Sequence, residues 1–547
     1  MWGILLRVVT RLKRTFPSLL PSAIQERIDA FRKPPTRNNF SKSYPDSLRG
    51  PAALLVCTFL PLFPSFVQHR IEASRKPPLG EIYLTSYLDG LRGLAALFIF
   101  WYHLYWKYLP TLMPSYGLPL SPDGTRASSS LLQLPFLRVV FSGRPMVHIF
   151  FIISGYALSL KSLKQIRSNE NSALLRTVSS ALFRRGIRLF FPVVASTFIG
   201  TILLQINFRY YAAPTFSAQM WEWYDELSKI LNFWYPDGRA AISFDPQLWT
   251  IPLEMSNSIV LFAVLIALAR CKVVLRMILL VSTMLICMRV GQWVASEFLM
   301  GMFFAELGLI QEDLNQYFTS SETIALVVCA EEAMSLLSEE DGEEKEEGNE
   351  PTHHQYQIRR RQLQEVKRIG SIVLKVFCII NLIFALWLAG WPEEHPEQDA
   401  GFNWIMRHTG PPYNNAFDRM QFPWLALVAF QIVFASQQVP FLQSFLTTPV
   451  IRYLGKISYS MYLMHWSVLE CLLLRIFPHI WRFVQSILGD DGVGSWGVTL
   501  VWPLSVLALT PAVVWSGDLF CTFVDDNCVA FAKWLEGKCI KREGVYL

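Results

Sequence analysis

The chain has 547 residues, of which 52% are hydrophobic and only 17% charged, with a formal net charge of +6. Soluble domains carry about a quarter charged residues, so this composition excludes an ordinary soluble multidomain enzyme. The small positive excess lies beside apolar runs and forms no basic groove with interleaved aromatics, which excludes a nucleic-acid-binding protein.

In chain order, residues 1–80 are expected to form a cytoplasmic N-terminal region. Its opening, "MWGILLRVVTRLKRTF", sets Ile4, Leu5, Val8, Val9, Leu12 and Phe16 on one helical face and Arg7, Arg11 and Arg14 on another. That pattern predicts a basic amphipathic helix on an anionic membrane surface; a transit peptide is the alternative, since no acid precedes Glu26. The run 52–67 is broken by Pro61 and Pro64 and reads as interfacial or half-inserted. Ten later stretches are long and apolar enough to cross a bilayer: about 87–109, 146–160, 187–206, 247–269, 273–290, 293–310, 370–390, 420–436, 455–476 and 496–516. The expected fold is all-α, a polytopic membrane helix bundle of about ten or eleven spans.

Basic connections set the orientation. Arg70, Arg75 and Lys76 precede the first span, seven cations from Lys161 to Arg188 follow the second, and Arg270, Lys272 and Arg276 join the fourth to the fifth. With ten spans, all these face the side that also holds Lys533, Lys538, Lys541 and Arg542, predicting cytoplasmic N and C termini. The connection 311–369 carries "SEEDGEEKEEGNE" and then "IRRRQLQEVKR", too polar to bury, and is expected to be a disordered cytoplasmic loop; "TIALVVCAEEAMSLL" before it could lie on the membrane surface. The Trp-rich "MWEWYDELSKILNFWYPDG" (220–238) is expected outside, as an interfacial belt or a cover over a substrate entrance. Nine cysteines show no C-x-x-C pair and no metal-ligand spacing, so no disulfide framework or metal site is expected.

Ionisable residues inside spans are costly and by default mark function. In "YLDGLRGLAALFIFWYHLYWKYLP", Arg92 and His103 are eleven residues apart, on one helical face and about 16 Å apart along the axis. Snorkelling and an aromatic-belt hydrogen bond are the ordinary explanations. The pattern recurs: Glu254 in "FDPQLWTIPLEMSNSIVLF" enters its span one to two turns deep, and His465 in "LGKISYSMYLMHWSVLECLLL" sits about 15 Å inside the cytoplasmic edge. Three protonatable groups from three spans thus converge at middle to external depth.

These stretches resemble the membrane-bound acyltransferase 3 family. "YLDGLRGLAALFIFWYH", with its Arg-x10-His spacing, resembles the family's opening; "VHIFFIISGYALS", "RRGIRLFFP", "LWTIPLEM" and "LGKISYSMYLMHW" follow in the family's order over residues 87 to about 516. The resemblance implies an acyltransferase transmembrane domain over 81–516, a cytoplasmic tail over 517–547, and transfer of an acyl group, commonly acetyl, from acyl-CoA to a hydroxyl of a metabolite or glycan. It implies His103, Arg92 and Glu254 as catalytic residues, and Arg184, Arg185, Arg188 and Lys456 as binding the coenzyme A phosphates. Asp89, Arg144, His148, Tyr459 and His465 are implied as substrate-binding or supporting residues. The long insertions resemble fungal members. One departure stands out: His148 occupies a position where members commonly have an acid.

The chemistry is consistent with the residues. A neutral histidine can take the acceptor's proton as the hydroxyl attacks a thioester, and Glu254 can orient or charge-stabilise it. His103 as base and His103 as transient acyl carrier both stay open, as do Arg92, Tyr459 or backbone amides as oxyanion donors. No cofactor is expected to be held permanently; acyl-CoA is a co-substrate. A multi-pass transporter or proton-coupled permease is the competing class, because buried Arg, Glu and His also build relays; a catalytically inactive scaffold is a third.

Overall fold

The computed structural model describes residues 85–118, 130–206, 213–234, 245–338, 353–488 and 495–540. The expected N-terminal amphipathic helix and the 52–67 run lie outside them. The main helices are α1 (Ser86–Tyr108), α2 (Gly143–Arg167), α3 (Asn171–Gln205), α4 (Phe216–Leu231), α5 (Thr250–Ala267), α6 (Val273–Arg289) and α7 (Trp293–Ser338). They continue with α8 (His353–Ala389), α9 (Ala400–Arg407), α10 (Phe422–Gln438), α11 (Pro449–Leu488), α12 (Ser495–Phe520) and α13 (Asp526–Cys539). Among the described residues there is no strand, and every one of the ten apolar stretches coincides with a helix.

Seven described helical segments are long and apolar enough to cross a membrane, or eight if the bent halves of α11 count as one span. Helix α1 is not among them, being interrupted by Asp89, Arg92 and Lys107; nor is α6, which at 17 residues is short. The helical form is dictated by the solvent: in hydrocarbon each backbone N–H and C=O must be paired within the segment. The outward faces are correspondingly apolar, as with Val274, Leu285 and Ile286 on α6 and Val373, Phe377 and Ile380 on α8, all exposed.

The chain forms two compact units. In the first (1–133, 175–259 and 447–547), α11 packs against both α1 and α12. Glycines let backbones meet there: a Cβ on Gly93 would stand 2.4 Å from the Gly455 nitrogen, so only hydrogen fits. With no hydrophobic drive between helices in lipid, such close van der Waals contact is what holds spans together. In the second unit (134–174 and 260–446), α7 packs on α2 and α6, and α10 on α2 and α8.

Two stretches differ from expectation. Helix α7 runs on to Ser338 and α8 begins at His353, so helix extends into both ends of the connection expected to be a disordered loop, and 339–352 lie outside the described residues. The segment expected as a surface helix is the continuation of α7. The expected tail likewise continues α12 through a π turn, Cys521–Asp525, into α13. The reason is common to both: a packed span supplies the costly nucleus, and Ala, Leu, Glu, Gln, Lys and Arg then add helix residue by residue. The Trp-rich segment forms α4, capped by the Thr215 hydroxyl accepting from the Ala218 N–H. Trp221 and Tyr224 are exposed while Trp223 Nε1 donates to Thr197 at 3.0 Å, the amphipathic disposition of a belt.

Candidate active site

The first unit carries two chemically different poles on α1. At one, the Gly93–Gly455 crossing brings Arg92 Nη2 within 3.1 Å of the Gly455 carbonyl, to which it donates, and Arg92 also pairs with the exposed Asp89 at 3.6 Å. Helix α3 adds three more arginines. Arg185 donates to Glu254 Oε1 at 2.6 Å and Arg184 pairs with Glu536 at 3.1 Å. The electrostatic neighbours of Arg188 are Asp525, Arg185, Arg184 and Arg92. Arg188 makes no hydrogen bond to any described residue, and Lys456, exposed near Cys521, makes none either. Four of the five cations sit close together yet two of those, Arg184 and Arg185, are committed to acids. Arg188 and Lys456 are the ones with donors available to phosphate oxygens, which such cations bind as charge-assisted partners.

Three turns along α1 lies the other pole. The His103 ring stacks on that of His465, with centroids 5.3 Å apart and 25° between planes. Trp466 meets His103 edge-on at 5.1 Å. Lys107, one turn past His103, lies 5.2 Å over the Trp466 ring and pairs with the buried Glu470. His465, fully buried, directs Nδ1 at the Tyr462 carbonyl at 2.6 Å. A carbonyl only accepts, so Nδ1 carries the proton and, in the neutral ring, Nε2 holds the lone pair. That Nε2 is buried without a hydrogen-bond partner, as is Nδ1 of His103. Two stacked imidazoles with unengaged ring nitrogens can receive a proton from a bound hydroxyl, which is general-base chemistry.

Tyr459 and Tyr462 lie between the poles on α11. The Tyr459 hydroxyl donates to the Leu189 carbonyl at 2.7 Å. The Tyr462 hydroxyl donates to the Gln247 carbonyl and shares a 2.7 Å hydrogen bond with Thr250. Glu254 is therefore the partner of Arg185 at the cationic pole, and the ring beside His103 is His465.

His148 and Arg144 belong to the second unit. Both are paired: His148 Nδ1 with Glu297 Oε1, both side chains buried, and Arg144 with Glu393 at 2.5 Å. Trp293 covers the His148 ring at 4.8 Å. A carboxylate on α7 thus faces the imidazole at position 148. Nearby on that helix the buried Glu306 accepts from Arg276 at 2.7 Å and Arg167 at 2.9 Å.

Residues 85–520 match the acyltransferase domain of the acyltransferase 3 family. The chain belongs to that family. Family members similar to it include O-acetyltransferase PaAT-1 of Phomopsis amygdali, 27% identical over 450 residues that cover 76% of this chain and 78% of the relative. Acyltransferase clz18 of Cochliobolus lunatus is 23% identical over 441 residues, covering 73% of this chain and 82% of the relative. Acyltransferase R4 of a Phoma species is 21% identical over 446 residues, covering 75% and 83%. No solved structure matches. This family member is a multi-pass membrane O-acyltransferase.

Sequence reasoning about this acyltransferase did not single out Gln247, Tyr462, Trp466, Lys107, Glu470, Glu297 or Glu306. For Glu297, Glu306 and Glu470 the signal was present, since each is an acid inside an apolar run. Gln247 and Trp466 carry no such signal, because neither residue type is unusual where a span meets its interface.

Proposed function

We propose that this enzyme transfers an acetyl group from acetyl-CoA to a hydroxyl of a small hydroxylated metabolite or glycan. The observation that carries the reading is the stacked His103–His465 pair with unengaged ring nitrogens, set three turns along one helix from a cluster of arginines. The arginine pole faces the cytoplasm, where the donor is made, and both termini lie on that side. Arg188 and Lys456 bind donor phosphates; Arg184 and Arg185 hold their acids and shape that pole. His103, partly exposed, takes the proton of the acceptor hydroxyl as it attacks the thioester carbon, and returns it to the departing sulfur. His465, stacked on that ring, holds it in position. The name of the Phomopsis relative, an O-acetyltransferase, supports acetyl as the group transferred.

The test compares metabolites and glycans, by mass spectrometry, from a strain lacking the gene and from that strain carrying either the wild-type chain or His103→Ala. The expected result is an acetylated species absent from the deletion strain, restored by the wild type and not by His103→Ala present at equal abundance in the membrane. In membranes from these strains, labelled transfer from acetyl-CoA should fall about 10²- to 10⁴-fold in His103→Ala. Full transfer by His103→Ala removes the base assignment, and solute flux independent of acetyl-CoA would establish a transporter instead.

A further inference from the structure

The acyl-transfer chemistry requires a donor for the negative charge that develops on the thioester oxygen, and the two side chains suggested by sequence, Arg92 and Tyr459, are engaged elsewhere, as is the neighbouring Tyr462. Arg92 lies about 16 Å along the axis from His103 and donates to Gly455. The single hydroxyl proton of Tyr459 goes to the Leu189 carbonyl, and that of Tyr462 to the Gln247 carbonyl.

Gln247 itself is different. It lies in the Pro246–Trp249 turn that leads into α5, and its residue is only 3% exposed. Both atoms of its carboxamide, Nε2 and Oε1, are buried and have no hydrogen-bond partner. Buried polar side chains are nearly always paired, and an unpaired one calls for a partner such as a ligand or an ordered water; Gln247 is distinctive among the described glutamines in that both carboxamide atoms are unpaired. The turn is fixed in place: its backbone carbonyl receives the Tyr462 hydroxyl, which Thr250 also engages at 2.7 Å. Tyr462 is in turn bonded through its carbonyl to His465 Nδ1, and His465 stacks on His103. One chain of contacts therefore ties an unengaged carboxamide to the two imidazoles. Of its two polar atoms only Nε2 bears protons, so only that end can serve a developing anion.

We propose that the Gln247 carboxamide binds the carbonyl oxygen of the acyl thioester and donates from Nε2 to the oxyanion formed there. The acceptor oxygen bonds to the carbonyl carbon while its proton passes to His103; the carbonyl electron pair moves to oxygen, where Nε2 holds it. Collapse re-forms the C=O bond and breaks C–S, and the sulfur takes the proton from His103. The products are the ester and the free thiol of coenzyme A. Rigid packing of the turn against α11 makes the donor preorganised, the condition under which such donors contribute most.

This assignment rests on the acyl-transfer reading above, and the experiment separates the two. Wild type, Gln247→Leu and Gln247→Glu are assayed in membranes with labelled acetyl-CoA and an organic extract of the deletion strain. Gln247→Leu is expected to lose about 10²- to 10³-fold in kcat, with the KM for acetyl-CoA unchanged and the thermal stabilisation by free coenzyme A retained. Gln247→Glu, of the same shape but repelling the oxyanion, is expected to be at least as impaired, and it carries the test if the leucine variant does not accumulate. Wild-type kcat in either variant, or a defect confined to KM, overturns the oxyanion role while leaving the acyl-transfer reading standing. A wild-type chain that shows no acetyl-CoA-dependent labelling overturns both.

Discussion

His148 pairs with Glu297 between two buried side chains, one on α2 and one on α7. An acid introduced at 148 alone would set two carboxyl groups face to face in a dry environment, where like charges cost several kcal/mol. His148→Asp is therefore expected to lower the unfolding temperature in detergent and the amount of protein in membranes, and the exchange His148→Asp with Glu297→His should recover most of both. Equal stability of the single variant would show that the pair is not energetically coupled. Residue-level reading of the sequence found His103, His465, Glu254 and Arg92 because each breaks an apolar run. It did not find that Glu254 serves Arg185, since which cation meets which acid depends on side-chain reach between α3 and α5.

Helix α1 shows how an element converts sequence into site geometry. Its eleven-residue spacing fixes Arg92 and His103 on one face, but what faces them is fixed by the crossing with α11. Gly93 and Gly455 are the contact: a Cβ on Gly455 would lie 2.3 Å from the Asp89 carbonyl, and backbone cannot give way. Gly93→Val should push the helices apart, at a cost of at least about 1–3 kcal/mol, and should remove acyl transfer because the His103–His465 stack separates with them. Gly186→Ala on α3, where a Cβ meets nothing within 4 Å, should leave thermal unfolding and activity near wild type. Activity in Gly93→Val equal to that of Gly186→Ala would show that the stacked pair does not depend on this crossing. The same element-level view accounts for the helices that outran their expected ends, since hydropathy reports where a span is apolar and not where its hydrogen-bonded ladder stops.

For the whole molecule, the ten spans expected from sequence, with the basic connections on one side, predict that both termini lie in the cytoplasm. Tags at the N and C termini should both be protected in sealed, right-side-out vesicles and both be cleaved after permeabilisation; cleavage of one tag alone before permeabilisation would require an odd count. Composition, hydropathy and the order of short motifs determined by themselves that this is an all-α membrane acyltransferase, where its apolar helices lie, and that His103 is the residue to test. Those properties are local or additive: transfer to lipid sums along a run, and a spacing of eleven residues means one face on any helix. Only the tertiary structure decided that His103 stacks on His465 and that Glu254 belongs to the arginine pole. It alone placed Glu297 opposite His148 and left the Gln247 carboxamide buried without a partner. Each of these depends on which helices cross and at what distance, and that is set by backbone contact at glycines and by side-chain packing between segments far apart in the chain.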